Sequence, residues 1–408
     1  MTPEDERPRS AAQLLRDPGF GRYFLGSLLS NSGTWCHDIA AAIFVFQVTG
    51  LASMVALVAV AAFGASVVLA PVGGLLADRF DRRMLLLVSL GLQAVISATF
   101  AAFVLGGVNE VWLVLAVTLV LGAGRAVNTP ALQAYLPSLV PLRDLAQASA
   151  LSAVTFNVAR AVGPALGALL ITQWGAGVAF AANAASFAAF ALILLSLKSE
   201  RSARPKRAGG ILGGLAYVRT RSDLIVLLIV AGVVGMATDP VITLGPSFAA
   251  RFDQPPEYAG LLVTAFGAGS ILAAPFIGRL RARVGPVRTA TIGFAGIAVG
   301  FAVTGLVPDH VVALGAVAFA GFCYLATSSD ITTSLLERLD DSVRGRVMAL
   351  WAVGFHGARP IAALIDGGIA DRASPGVAII TMASLMLATA AALLLWRWRG
   401  PRSAVPGE

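Results

Sequence analysis

The chain has 408 residues, of which 57% are hydrophobic and 13% charged, with a mean hydropathy of +0.81. That is too apolar for a soluble protein of this length, so a multispanning membrane protein is expected. The net charge of +8 is spread over loops between apolar runs and not gathered in one patch, which argues against a nucleic-acid partner and for orientation in a bilayer.

Residues 1–22 are mostly polar and mixed in charge, with no apolar stretch ending in a small-residue cleavage site. No cleavable signal peptide is expected, and the segment is read as cytoplasmic. Twelve apolar runs follow, each long enough to cross a bilayer: 23–48, 53–77, 84–105, 111–127, 148–172, 178–197, 224–249, 258–277, 287–307, 311–329, 347–369 and 377–396. The expected fold is an all-α membrane protein of twelve transmembrane helices in two pseudo-symmetric six-helix bundles. The bundles cover 23–197 and 224–396, joined by a cytoplasmic linker at 198–223 and followed by a cytoplasmic tail at 397–408.

Basic residues set the orientation. Loops after even-numbered runs hold Arg79, Arg82, Arg83 and Arg143, the cluster from Lys198 to Arg221, and the arginines around 279–288 and 338–346; loops after odd-numbered runs hold only Arg251 and Arg372. The protein is therefore expected to cross a cell (inner) membrane many times with both termini on the cytoplasmic side.

An internal repeat supports the two halves. Offsetting the chain by 199 places Ala150-Leu-Ser-Ala-Val-Thr-Phe-Asn-Val-Ala-Arg160 on Ala349-Leu-Trp-Ala-Val-Gly-Phe-His-Gly-Ala-Arg359, with seven of eleven positions identical, and an offset of 201 places Asp38 on Asp239. Parallel repeats of this kind divide many transporters.

Between the second and third runs lies Gly74-Leu-Leu-Ala-Asp78-Arg79-Phe-Asp81-Arg82-Arg83, five charges in six residues. A glycine there admits a close neighbour, an acid four residues on can face a helix N-terminus, and arginines can hold acid and lipid surface together. Gly74, Asp78, Arg79, Arg82 and Arg83 are thus a candidate conformational latch, with Asp78 expected to cap helix eleven near Gly345. The pattern resembles the signature loop of the major facilitator superfamily, and Asp81, where many members have glycine, is similar to the branch of enterobactin and macrolide exporters. In the second half Gly278-Arg-Leu-Arg-Ala282-Arg283 lacks the acid. Gly163, Pro164 and Gly167 resemble the helix-five motif of superfamily exporters, though Ala159 replaces its first glycine. These two glycines are expected to pack on small residues of helix eight, Ala265, Gly269 and Ala273.

Charges inside a bilayer are costly unless paired or wetted, so each is a functional candidate. At 1.5 Å per residue, Asp38, Arg160, Asp239 and Arg359 lie roughly 18–24 Å from the basic ends of their helices, near midplane. The resemblance implies that helix one neighbours helix five and helix seven neighbours helix eleven, so the expected pairs are Asp38 with Arg160 and Asp239 with Arg359. An Asp whose Arg is withdrawn would take up a proton, the alternation that antiport needs. Packing alone is the other reading of these pairs. His356, one turn before Arg359, is a candidate relay, with helix packing as its alternative. Helices one, four, seven and ten line the cavity in this superfamily, which makes Asn31, Trp35, Arg125, Met236 and Tyr324 candidate substrate contacts.

Cys36 and Cys323 sit far apart in apolar runs, so neither a disulfide nor a metal site is expected. The only lysines, Lys198 and Lys206, lie outside any phosphate-binding loop, which excludes an ATP-driven pump. The expected function is secondary, proton-coupled efflux of an amphipathic small molecule, a drug or siderophore-like metabolite. The protein is expected to be no enzyme, to need no cofactor beyond the proton gradient, and to act as a monomer in the lipid bilayer with no nucleic-acid partner. Alternatives are a nutrient facilitator or proton symporter, and a non-transporting membrane sensor or assembly partner.

Overall fold

In the computed structural model of the protein, residues 9–197 and 211–399 are described; the expected segments at 1–8, 198–210 and 400–408 lie outside the described residues. The chain is helical throughout what is described. We label the long helices α1 (Phe20–Thr49), α2 (Ala52–Arg79), α3 (Arg82–Leu105), α4 (Val111–Tyr135), α5 (Leu145–Trp174), α6 (Ala176–Ser196), α7 (Ser222–Thr243), α8 (Glu257–Val284), α9 (Pro286–Leu306), α10 (His310–Leu336), α11 (Asp341–Arg372) and α12 (Pro375–Arg399). Eleven of them are long and apolar enough to cross a membrane. The twelfth, α1, has 30 residues but spends its middle on Asn31, Ser32, Thr34, His37 and Asp38. Its polar stretch is packed inside the protein and not against lipid, with His37 and Asp38 both buried.

Several helices outrun their apolar cores. Run four was expected to end at 127, yet α4 continues through Pro130 to Tyr135, and α8 continues through its arginines to Val284. Charged ends cost nothing once they stand clear of the hydrocarbon. The seventh run, by contrast, is not one helix as expected. It breaks after Met236, restarts at Asp239–Thr243 and again at Gly245–Arg251, each restart carrying a proline in its first turn. Pro240 and Pro246 donate no backbone hydrogen bond, so each is favoured where a helix begins and ends the one before it.

The two halves repeat the same packing. In the first, α1 packs on α5, α2 on α4, and α3 on α4 and α6; in the second, α7 packs on α11, α8 on α10, and α9 on α10 and α12. A short helix precedes each half. Ala11–Arg16 carries a capping box between Ser10 and Gln13, and Ile211–Arg219 lies on α11 with Val218 buried beside Leu335, Leu339 and Val347. The first is tied down by Arg9, whose Nε donates to Asp144 Oδ2 (2.6 Å) and whose Nη1 donates to Asp17 Oδ2 (2.9 Å). Burial opposes ionisation of Asp17, but the amides of Phe20 and Gly19 and the Arg9 guanidinium outweigh it and hold that carboxyl below its ordinary value.

The halves meet along two seams, α5 with α8 and α2 with α11. Both seams are tight at the end away from the arginine-rich loops. A Cβ on Gly367 of α11 would lie 2.7 Å from Ala52 O, and one on Gly260 of α8 would lie 2.8 Å from Pro164 O. Asp371, at the end of α11, accepts from the amides of Ala52 (2.7 Å) and Ser53 (3.0 Å) that open α2. On the other seam, Thr172 near the end of α5 donates to Glu257 in the first turn of α8 (2.8 Å). An offset of 199 relates Thr172 to Asp371, so one clasp is built twice. At the basic end the halves stand apart: a Cβ on Gly74, Gly278 or Gly345 would meet nothing within 4 Å. The structure is therefore closed at one end and open at its basic end.

The Asp371 clasp gives a first test. A carboxylate on the free amides of a helix start contributes about 0.5–2 kcal/mol, so Asp371→Ala is expected to open the closed end more often. Single cysteines placed near Ala52 should then label faster from that side; unchanged labelling would show the clasp to be incidental.

Candidate functional site

At midplane, Arg359 Nε of α11 donates to Asp239 Oδ2 of α7 at 3.0 Å, with both residues buried. Asp239 sits where α7 restarts, so a broken helix presents the acid. The partner of Asp38 is not the expected Arg160. It is Arg125 of α4, whose Nη2 lies 2.5 Å from Asp38 Oδ1. Depth along a helix placed Asp38 level with Arg160, but depth does not say which way a side chain faces. Arg125, placed among substrate contacts by sequence, is instead half of an ion pair.

One ring joins the two pairs. Phe63 of α2 lies under the Arg359 guanidinium (3.6 Å to the ring centroid) and beside that of Arg125 (5.5 Å). Its segment, Val60–Gly64, is a single π turn inside α2, a device that inserts an extra residue and turns a side chain out of register. Gly122 of α4 lets that turn approach, since a Cβ there would lie 2.6 Å from the carbonyls of Ala61 and Ala62. A cavity of about 10 Å³, room for about one water, lies between the halves, bordered by Asp38, Val55, Val58, Phe63 and Ile242. Asp38 Oδ2 is buried and has no hydrogen-bond partner.

Arg160 has taken a different position. It is buried, its Nε and Nη2 have no partner, and its guanidinium lies over Tyr324 (5.1 Å) and Phe266 (5.9 Å). Those rings belong to the opposite half. The arrangement echoes the first, because offsets of 199 and 203 relate Arg160 to Arg359 and Phe63 to Phe266. Each half thus lends a buried arginine to an aromatic ring of the other. Cation–π contacts of this kind are worth about 2 kcal/mol when desolvated. Phe63 and Phe266 were not singled out from sequence, and the signature-loop copy, offset by 204, sets Phe63 one residue away from Phe266.

Residues 10–404 match the family described as transmembrane secretion effector. The chain belongs to that family, a branch of the major facilitator superfamily. The enterobactin exporter EntS of Escherichia coli strain 536 is 24% identical over 407 residues, covering 96% of each chain. Macrolide efflux protein A of Streptococcus pyogenes is 24% identical over 349 residues, 82% of this chain and 85% of that one. Among solved structures, the nucleoside transporter NupG superposes with a TM-score of 0.76 at 14% identity, covering 92% of this chain and 98% of that one. A bacterial homologue of the iron transporter ferroportin in an inward-facing state gives 0.70 at 16% identity, with 96% and 100% covered. The chain is a multi-pass membrane transporter of the major facilitator type and not an enzyme.

The superfamily's signature loop is disengaged in this conformation. Asp78 and Arg79 are exposed and make no hydrogen bond or ion pair among the described residues, so Asp78 does not cap α11 at Gly345 as expected. The facing helix ends lie too far apart. Asp81 instead caps α3 by accepting from the Met84 amide (2.8 Å). Arg82 donates to Ala134 O and Arg83 to Leu194 O and Leu195 O, each at 2.9 Å. These arginines hold the open carbonyl ends of α4 and α6, where orphan acceptors and the helix dipole both favour a cation. Because Asp78 touches nothing here, Asp78→Asn should leave this state intact and weaken the one in which the basic ends meet. Occupancy of the present state is expected to rise, read as faster cysteine labelling from the basic end; no change would remove the latch from the cycle.

The family's helix-five glycines do not form the seam with α8. A Cβ on Gly163 would lie 2.6 Å from Trp35 Cβ, and one on Gly167 2.7 Å from Cys36 O, so both face α1 within their own half. The α8 seam uses other faces: Pro164 O approaches Gly260 (2.8 Å to a Cβ built there), and Ala161 meets Gly267. Gly269, expected at that seam, packs on Ala318 of α10 instead. Among the remaining candidates, Asn31 donates to Ser27 O of its own helix (2.8 Å) and Trp35 meets the edge of Phe156 (6.1 Å). Met236 packs on the core of the second half, and Tyr324 lies beneath Arg160. His356 hydrogen-bonds through Nδ1 to Ala352 O (3.1 Å) between Trp351 and Phe355, with no carboxylate bonded to it.

Proposed function

We propose that this chain exports amphipathic small molecules by alternating access, drawing on the proton gradient, with its basic end and both termini in the cytoplasm of a cell with the transporter in its inner membrane. The present conformation is then inward-open and receives cargo from the cytoplasm. The arginine-rich loops at the open end support that orientation. The observation that carries the reading is the chain Asp38–Arg125, Phe63, Arg359–Asp239, which runs through midplane from one half to the other. A scaffold has no use for intramembrane charge across a seam that must slide. A transporter does, because separating the halves strips Arg359 of its ring and loosens its hold on Asp239, so movement and protonation become one event.

The exporters of enterobactin and of macrolides among the relatives support outward transport of bulky, partly apolar cargo. The protein works as a monomer without a bound cofactor. In inverted vesicles carrying the transporter, a labelled macrolide or a catecholate siderophore should accumulate when the lumen is acid and stop doing so when the pH gradient is collapsed. Accumulation that ignores the gradient would reject coupling. Uptake of neither class, with transport of nucleosides or other nutrients in the opposite direction, would reject export.

A further inference from the structure

Among the described residues, one buried acid has no cation beside it. Asp366 lies on α11 two turns beyond Arg359, about 10 Å further along the helix on the same side. It is fully buried, and neither of its oxygens has a hydrogen-bond partner. The ionisable group that acts on it is another acid, Asp239. The elements packed on α11 supply no cation at this depth. α2 has no ionisable residue from Ala52 to Ala77, α12 has none from Pro375 to Trp396, and α7 offers Asp239 there. On α11 itself Arg359 is bonded to Asp239, Arg372 to Gly368 O, and Asp371 to the start of α2; His356 is held by Ala352 O. The helix Ile211–Arg219 touches the far, basic end of α11, where Gly214 faces Arg346. Arg160, the buried cation without a carboxylate, lies over α8 and α10 rings on the other seam.

Two acids therefore lie in a region with one arginine, and that arginine is bonded to Asp239. An ionised, unpaired carboxylate there would cost several kcal/mol, and Asp239 is the acid that Arg359 holds. The next residue, Gly367, is the point at which α11 presses on Ala52 of α2. Asp366 thus lies beside the residue at which that seam closes.

We propose that Asp366 is a proton-binding site: it holds a proton in this conformation and exchanges it with water on the far side when the α2–α11 seam opens. While the seam is shut the proton stays on Asp366; when the seam opens, the O–H bond breaks to water at that face or re-forms from it. The coupling part of this rests on the proton-driven export proposed above; the protonation itself does not.

The test uses the purified full chain and the same chain in inverted vesicles. Infrared spectra at neutral pH should contain a protonated-carboxyl C=O band that is lost in Asp366→Asn and shifted in Asp366→Glu. Because asparagine imitates the neutral acid, Asp366→Asn should unfold at the wild-type temperature. It should keep downhill exchange and lose accumulation driven by the pH gradient. A wild-type spectrum without the band, or a band that survives in Asp366→Asn, overturns the proposal, as does full gradient-driven accumulation by that variant. Wild-type transport that ignores the pH gradient would instead bring down the coupled-export reading, and the band alone would then decide whether Asp366 holds its proton.

Discussion

Asp38→Asn is expected to lose both stability and uphill transport, and adding Arg125→Gln is expected to restore only the first. Removing one member of a fully buried ion pair costs about 3–5 kcal/mol, chiefly because the other charge is left without a partner, and with 20% of the Arg125 side chain exposed the cost here falls below that. The single variant strands Arg125 beside Phe63, with no acid in reach. The double variant removes both charges and with them the penalty. Thermal unfolding in detergent should therefore drop for the single variant and recover for the double. Transport separates the two roles of the pair. If Asp38 takes part in coupling, the recovered double variant still fails to concentrate substrate but equilibrates it downhill. Full gradient-driven accumulation by Asp38→Asn with Arg125→Gln would make the pair a packing device. The corresponding comparison, Asp239→Asn with Arg359→Gln, assigns the second half in the same way. Arg160→Gln should not rescue Asp38→Asn, because Arg160 serves rings of the other half and not that acid.

Gly267→Leu is expected to drive the protein out of the inward-open state. Its side chain would enter the backbone of Ala161 on the closed α5–α8 seam, and overpacking of this kind costs about 1–3 kcal/mol. That cost falls only on conformations in which the seam is shut, so the population should move by roughly tenfold or more toward the outward-open state. Gly163→Leu should behave differently. It collides with Trp35 and Ser32 of α1 within a single half, so it burdens every conformation and should lower yield and melting temperature without changing the state occupied. The readout is labelling of single cysteines from either side, in a background where Cys36 and Cys323 are replaced. If both glycine variants gave the same labelling and stability, the assignment of the two faces of α5 would be wrong.

Much of this molecule is legible in one dimension. Apolar length marks the spans, arginine placement marks one end, and an offset near 200 marks the halves. Each rests on a cost that acts along the chain: backbone and charge cannot face hydrocarbon unsatisfied. The depth of Asp38, Asp239 and Arg359 follows from the same counting, because rise per residue is constant in a helix.

What counting cannot supply is the direction in which a helix turns each residue. Arg125 and Arg160 both reach the middle of the membrane, and only the packing of α4 against α1 and α2 gave Asp38 to Arg125. Gly163 and Gly167 announce a close contact, yet the partner, α1 and not α8, depends on which face of α5 the bundle presents. The Phe63 bridge needs a π turn that no apolar pattern reveals. Asp78 shows a further limit, since a latch residue belongs to one conformation and the sequence encodes them all. Composition and spacing thus determine that this chain spans a membrane twelve times and buries charge at its middle. Which charges meet is decided in three dimensions, because several side chains at one depth compete for each acid and only the azimuth of the packed helices chooses among them.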